Sequence, residues 1–215
     1  MMTKHPVTIQ DCPTSLIHDA MRDLNFENFT LPSRIQPLQP GKVICGPAFT
    51  FEGSINPTAN RADIISAWMH LLDNCMPGQI WTSQPNNQEI AQMGGLSAEI
   101  LMSKGVAGCI IDGALRDSVE ITNLGFPCWR TQHTPKDIFC GFIPKGHNLA
   151  IKIGNVVIEP NDWLHADQDG VVRIPLSDLD NVSAKALKLM KMEKEALASI
   201  MDGKDPLTAY CDFKK

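Results

Sequence analysis

Apolar and polar positions along this chain follow two rhythms, and the changes of rhythm mark its elements. Thr14 to Leu24 reads as a first helix, with Pro13 and Thr14 near its start. Lys42 to Glu52 (KVICGPAFTFE) is β-rich, and Gly46-Pro47 is expected to mark a bend or bulge in it. Ala59 to Cys75 fits a long helix ended by Met76-Pro77-Gly78, and Gln79 to Ser83 fits a short strand. Gly94-Gly95 opens a helix that runs to about Lys104, where Gly105 closes it. Val106 to Asp112 (VAGCIID) is an apolar run bounded by glycine, the pattern of a buried strand. A short helix from Asp117 to Leu124 and a strand near Phe126 to Arg130 complete this part.

The pattern changes after Pro144. Asn148 to Glu159 (NLAIKIGNVVIE) alternates and reads as one strand. Trp163 to Ala166 and Gly170 to Ile174 read as arms of a hairpin around Asp167-Gln168-Asp169-Gly170. Asp178 to Met201 is a charged amphipathic helix, with Gly203 and Pro206 marking its end. There is no internal repeat, low-complexity tract or linker. The order of elements predicts one mixed-sheet α/β domain over residues 1–215.

Composition narrows the function classes. The chain has 215 residues, 43% of them hydrophobic, and a net charge of −5. A basic excess that would drive binding to nucleic acid or an anionic membrane is missing. No apolar run approaches the roughly 20 residues of a membrane span. The opening segment MMTKHPVTIQDCPTS lacks an apolar signal core, so a cytoplasmic location is expected. The seven cysteines are widely spaced and form no CxxC pair, which favours reduced, buried thiols over zinc or redox motifs.

Several other residue types carry bland readings. His18, His70 and His133 read as surface, structural and loop residues, and no HxH or HExxH occurs. Asp167 to Gly170 lacks the later glutamate of a calcium loop. Ser15, Ser97 and Ser103 lack a G-x-S-x-G context. The four tryptophans read as core or subunit-interface residues.

The chemistry concentrates between Gly94 and Asp117. Read physically, this stretch is a turn, a helix, a strand and a second turn, and both turns fall at the same end of the unit. Gly94 and Gly95 permit close backbone approach to a ligand. The N–H groups that open the helix, through Leu96 and Ser97, can hold an anion. Arg116 and Asp117 follow the strand, the usual edge for α/β sites. The combination suits a small anionic ligand with a hard divalent metal. The plainer reading is a glycine turn beside a surface Arg-Asp pair. Neither a P-loop nor GxGxxG is present.

Gly95, twenty intervening residues and Arg116-Asp117 resemble the G-x20-R-D signature of the RraA-like family. That family groups regulators of ribonuclease activity with 4-hydroxy-4-methyl-2-oxoglutarate aldolases. Further pieces match it in order. They are Thr14-Ser15 to Asp19-Ala20, Gly46 to Thr50, Gly105 to Gly108, Ile111 to Gly113, Asp162-Trp163, Ala166-Asp167 and Asp169 to Val172.

The resemblance implies a single-domain α/β/β/α sandwich of the swivelling β/β/α type, with mixed sheets and a C-terminal helix. It also implies trimers or dimers of trimers with the site between subunits. On that pattern Arg116 binds the carboxylate and keto oxygen of a small 2-oxo acid, and Asp117 holds Mg²⁺ or Mn²⁺ with Glu120 in the outer shell. Backbone N–H groups of Gly94, Gly95, Leu96 and Ser97 grip the pyruvate carboxylate. Glu193 or Glu195, on the helix of about 178–201, completes a neighbouring subunit's site.

Two positions depart from the family pattern. Gly95 stands where many aldolase members carry an acidic residue, and Asn123 where a second acidic residue often follows Glu120. The expected activity is metal-dependent formation of pyruvate through an enolate. Oxaloacetate decarboxylation is expected ahead of aldol cleavage, because it needs no base for a substrate hydroxyl. The alternative is a non-catalytic regulator that binds a ribonuclease or other protein partner. A methyltransferase reading finds no glycine-rich S-adenosylmethionine loop.

Overall fold

The computed structural model describes residues 8–213, which divide into two compact units. The larger covers 28–176 and the smaller combines the two ends of the chain.

In the smaller unit α1 (Thr14–Asp23), α5 (Leu179–Met201) and α6 (Pro206–Phe213) pack together, with Lys185 Nζ 3.1 Å from an Asp23 carboxylate oxygen. Gly203 closes α5 at φ +96°, as expected of a helix-ending glycine. Pro206 does not end the helical region. It opens α6, because proline fits the first helical position and Asp205 caps the turn by accepting from Thr208 N–H at 2.9 Å.

The larger unit begins with β1 (Gln36–Pro37), β2 (Ile44–Ile55), α2 (Arg61–Asn74), β3 (Ile80–Gln84), α3 (Gly95–Ser103), β4 (Gly108–Ile111), β5 (Ala114–Leu115) and α4 (Ser118–Leu124). It continues with β6 (Cys128–Arg130), β7 (Gln132–His133), β8 (Phe142–His147), β9 (Ile151–Ile153), β10 (Val156–Ile158), β11 (Trp163–Asp167) and β12 (Gly170–Ile174). The main sheet runs β1-β6-β4-β3-β2-β11-β12, and β8 also pairs with β2. Its centre, β2-β3-β4-β6, is parallel, and α2, α3 and α4 are the crossovers.

Alternation explains why this centre is buried on both faces. Phe49, Phe51, Trp81, Cys109, Ile111 and Cys128 enter one core with Trp68, Leu71 and Leu101 from the helices. Their neighbours Ala48, Ile80, Ile110 and Trp129 enter a second core with Ile151, Ile153, Val156 and Ile158.

Two expectations change, and one strand is added that the sequence pattern does not predict. β2 continues through Gly46-Pro47, and its irregularity lies at Glu52/Gly53, where it pairs with β8. Residues 148–159 form two strands, because Gly154 at φ +61° turns β9 back onto β10. Each arm alternates as its sequence predicts, with Ile151, Ile153, Val156 and Ile158 buried. Finally, β8 carries Pro144 and Gly146 inside a strand, which weakens any strand signal there. The hairpin at 167–170 is as expected, with Asp167 opposite Gly170.

None of the seven cysteines forms a disulfide among the described residues, and Cys140 and Cys211 are the exposed ones. Burial pushes the Cys75 thiol up to about 12 and raises Cys109 and Cys12 as well. A thiol reagent at neutral pH should therefore modify Cys140 and Cys211 rapidly, and the buried thiols only after denaturation. Mass spectrometry of the modified peptides checks this; rapid native labelling of Cys75 or Cys109 would contradict the packing.

Candidate active site

A short strip of chain brings the two halves of the Gly-Arg-Asp signature together. Ala91 bridges in parallel to Ala114, Gln92 N–H donates to Ala114 C=O at 2.8 Å, and Arg116 N–H donates to Met93 C=O at 2.9 Å. Residues 91–95 thus run beside 114–117, and Gly94-Gly95 lie against Arg116-Asp117.

Both glycines are needed for space. A Cβ on Gly94 would lie 2.8 Å from Asp117 Oδ2 and 3.0 Å from Arg116 Nε. A Cβ on Gly95 would overlap the Glu120 carboxylate. Glu120, in the first turn of α4, thereby places its acid group where a side chain at position 95 would otherwise reach.

Asp117 holds a left-handed backbone conformation at φ +55°, ψ +36°, one that aspartate tolerates better than most residues. Its Oδ2 accepts from Gly95 N–H at 3.0 Å and lies 3.4 Å from Arg116 Nε. Gly95 N–H is therefore already engaged. The Leu96 and Ser97 N–H groups, next along α3, find no acceptor among the described residues. They are the open anion donors of this turn.

Arg116 lies between two carboxylates, with Nη1 3.5 Å from Asp137 Oδ2. It donates no short side-chain hydrogen bond among the described residues, so its guanidinium fork remains open to a ligand. Arg116 and Asp117 side chains are 39% and 38% exposed, enough to be reached from solvent.

These groups face a cleft of about 150 Å³. Arg116, Asp117 and Asp137 form its polar side. Ile65, Trp68, Met69, Leu96 and Phe139 form much of its apolar side. Trp68 Nε1–H donates to Ser97 Oγ at 3.0 Å and ties α2 to α3 across the floor. Glu120 and Asn123 line an adjoining depression that Asp117 shares.

Among the described residues, no group of three or more His, Cys, Asp or Glu is placed to hold a metal ion. Asp117 Oδ1 accepts no hydrogen bond from the described residues, which leaves one carboxylate oxygen available.

The sequence reading marks neither Asp137 nor Phe139, and it takes Trp68 as a core or interface residue; Trp68 is buried in the core and also lines the cleft. Asp137 had a local signal: an aspartate at the head of a short turn, accepting from Phe139 N–H at 3.0 Å. Nothing in its spacing linked it to Arg116. Glu193 and Glu195 lie on α5 in the smaller unit. Glu195 is 3.7 Å from Lys191 Nζ, and Glu193 faces a groove with Asp19, Arg22 and Lys185. His133 accepts from Arg130 Nε at 3.2 Å, and burial followed by the Arg130 charge lowers its pKa.

A family model described as RraA-like, Aldolase/RraA, matches residues 14–173. A Halalkalibacterium halodurans protein, named as a candidate 4-hydroxy-4-methyl-2-oxoglutarate aldolase, is 28% identical over 204 residues, covering 93% of this chain and 90% of the relative. A Thermus thermophilus protein named 4-hydroxy-4-methyl-2-oxoglutarate aldolase is 31% identical over 86 residues, covering 40% of this chain and 51% of the relative. Among solved structures, Streptomyces coelicolor RraAS2, described as an unusual member of the RNase ES inhibitor RraA family, superposes with a TM-score of 0.77. It is 23% identical, with 90% of this chain and 95% of that one covered. The match over 14–173 takes in α1, the strip that joins Gly94-Gly95 to Arg116-Asp117, and the late hairpin, and the chain belongs to the RraA-like family.

Proposed function

We propose that the chain is a lyase that cleaves the C3–C4 bond of a small 2-oxo acid and releases pyruvate. The observation that carries this is the convergence of an open guanidinium, an α3 N-terminus with two free N–H groups and two carboxylates on one cleft. The aldolase names of relatives support the same class.

The Leu96 and Ser97 N–H groups bind the substrate's C1 carboxylate. Arg116 hydrogen-bonds the C1 carboxylate and the C2 keto oxygen. When the C3–C4 bond breaks, its electron pair moves to C3 and negative charge develops on the C2 oxygen, where the Arg116 fork strengthens its hold. Protonation at C3 gives pyruvate. With oxaloacetate the C4 carboxylate leaves as CO₂. With a 4-hydroxy-2-oxo acid a base must first take the hydroxyl proton. Glu120, whose carboxylate lies over Gly95, would take that proton.

The residues suit a magnesium or manganese ion that keeps most of its waters: Asp117 Oδ1 would hold it and Glu120 would orient one of its waters. Such an ion supplies Lewis-acid polarisation of the keto group.

The test is pyruvate release from a panel of 2-oxo acids, with and without Mg²⁺ or Mn²⁺, corrected for decay caused by free metal. Metal-dependent release above that control is expected. Calorimetry of Asp117→Asn should show strongly weakened Mg²⁺ binding, and Glu120→Gln a smaller loss. Unchanged affinity in Asp117→Asn rejects the ligand assignment. A second reading, a non-catalytic regulator of a ribonuclease, draws on the RraA fold shared with RraAS2. It gains if wild type and Arg116→Ala both match the metal-only control. We further propose a homotrimer or a dimer of trimers in the cytoplasm.

A further inference from the structure

Arg61 opens α2, directly after its capping residue Asn60. Residues 61, 65, 68 and 69 stand at i, i+4, i+7 and i+8 and so share one helix face. Ile65, Trp68 and Met69 all line the Arg116 cleft, and Arg61 extends that wall by about one turn. Its guanidinium carbon lies 4.1 Å from the ring centroid of Phe139, another lining residue. This cation–π contact leaves the guanidinium N–H donors unspent. Among the described residues no carboxylate lies within ion-pair distance of Arg61, although it is an exposed cation on a chain of net negative charge.

Among the described residues Arg116 is the only cationic side chain that lines the cleft, and Asp117 and Asp137 flank that charge. In the proposed reaction Arg116 is occupied by the C1 carboxylate and the keto oxygen. With Arg116 so engaged, a second carboxylate on the substrate would face the carboxylates of Asp117 and Asp137, unless it extended along the α2 wall toward Phe139.

We propose that Arg61 is a specificity-determining residue that binds a distal carboxylate, so that the site selects 4-hydroxy-2-oxo diacids over their monocarboxylate counterparts. This rests on the lyase reading above and adds the far end of the substrate to it. The chemistry of the far end gives the proposal an internal contrast. In a 4-hydroxy-2-oxo diacid the C5 carboxylate survives cleavage and stays charged in the carbonyl product, so Arg61 can hold it throughout. In oxaloacetate the C4 carboxylate is the group lost as CO₂. Holding that charge stabilises the ground state more than the transition state and gives no rate advantage.

The test compares two substrates that differ only at the far end. 4-Hydroxy-2-oxoglutarate yields pyruvate and glyoxylate, and 4-hydroxy-2-oxopentanoate yields pyruvate and acetaldehyde. In Arg61→Met, kcat/KM for the diacid should fall about 10–100-fold, mainly through KM, the loss expected for a charged hydrogen bond. For the methyl substrate it should change by less than about threefold, and oxaloacetate decarboxylation should not fall. Arg61→Lys should restore part of the diacid preference, because it keeps the charge and loses the planar fork. Equal losses on both hydroxy acids, or none on either, overturn the role of Arg61 while leaving the lyase reading intact. Wild-type protein that releases pyruvate from none of the three overturns the lyase reading and this inference together.

Discussion

Arg116→Ala is expected to lower kcat/KM for pyruvate release by about 10²–10³, the usual cost of removing one preorganised donor to a developing oxyanion. The expectation follows from where the guanidinium sits and how little holds it. Its nearest partners, Asp117 and Asp137, lie 3.4 and 3.5 Å away, too far for strong hydrogen bonds. They orient the fork without using up its donors. Arg116→Lys should lose nearly as much, because a single ammonium cannot span a carboxylate oxygen and a keto oxygen in one plane. The loss should fall on kcat as well as on kcat/KM, since the interaction strengthens as charge builds on the C2 oxygen. The side chain is 39% exposed and only partly packed, so the thermal midpoint should move far less than the rate. Steady-state rates on oxaloacetate with metal, together with a melting curve, decide it. An Arg116→Ala variant that keeps wild-type kcat would leave the proposed mechanism without its main element.

Most of the fold was legible because its strands are buried on both faces and carry dense apolar runs. VAGCIID and the two-residue rhythm of Ile151, Ile153, Val156 and Ile158 are direct records of that burial. The reading lost accuracy where backbone conformation outweighed side-chain pattern. Gly154 could be either a strand residue or a turn residue, and only its positive φ turns one alternating run into a hairpin. Strand β8 was hidden by Pro144 and Gly146; tertiary pairing with the far half of β2 makes it a strand.

The candidate site was legible for a different reason. Gly95, Arg116 and Asp117 are linked by a fixed spacing, since one helix and one strand of set length separate them. Asp137, Phe139 and Arg61 share no spacing with Arg116. Three-dimensional packing alone brings Asp137 and Phe139 to the cleft and sets Arg61 against Phe139. Glu120 stands between these cases. It was legible as a neighbour of Asp117, but its position over Gly95 depends on how α3 and α4 meet.

Gly94→Ala should lower turnover by about 10² while leaving the fold almost as stable as before. Gly94 sits at φ −143°, ψ 174°, an extended conformation open to any residue, so the glycine is not needed for backbone freedom. It is needed for clearance: the new methyl would lie 2.8 Å from Asp117 Oδ2 and 3.0 Å from Arg116 Nε. Both neighbours are the ends of solvent-facing side chains, so they yield before the backbone does. The displaced atoms belong to the groups proposed to hold substrate and metal, and misplacement by about 1 Å can cost 10²-fold in rate. Gly95→Ala provides the contrast. Its methyl meets the Glu120 carboxylate, so Glu120 must move while Arg116 keeps its place. If Glu120 takes the substrate's hydroxyl proton, Gly95→Ala should slow aldol cleavage more than oxaloacetate decarboxylation, whereas Gly94→Ala should slow both alike. Rates on a 4-hydroxy-2-oxo acid and on oxaloacetate, measured for the two variants beside wild type, separate these effects. Equal losses on both substrates in Gly95→Ala would remove Glu120 from proton transfer and leave it a purely positional role beside Asp117.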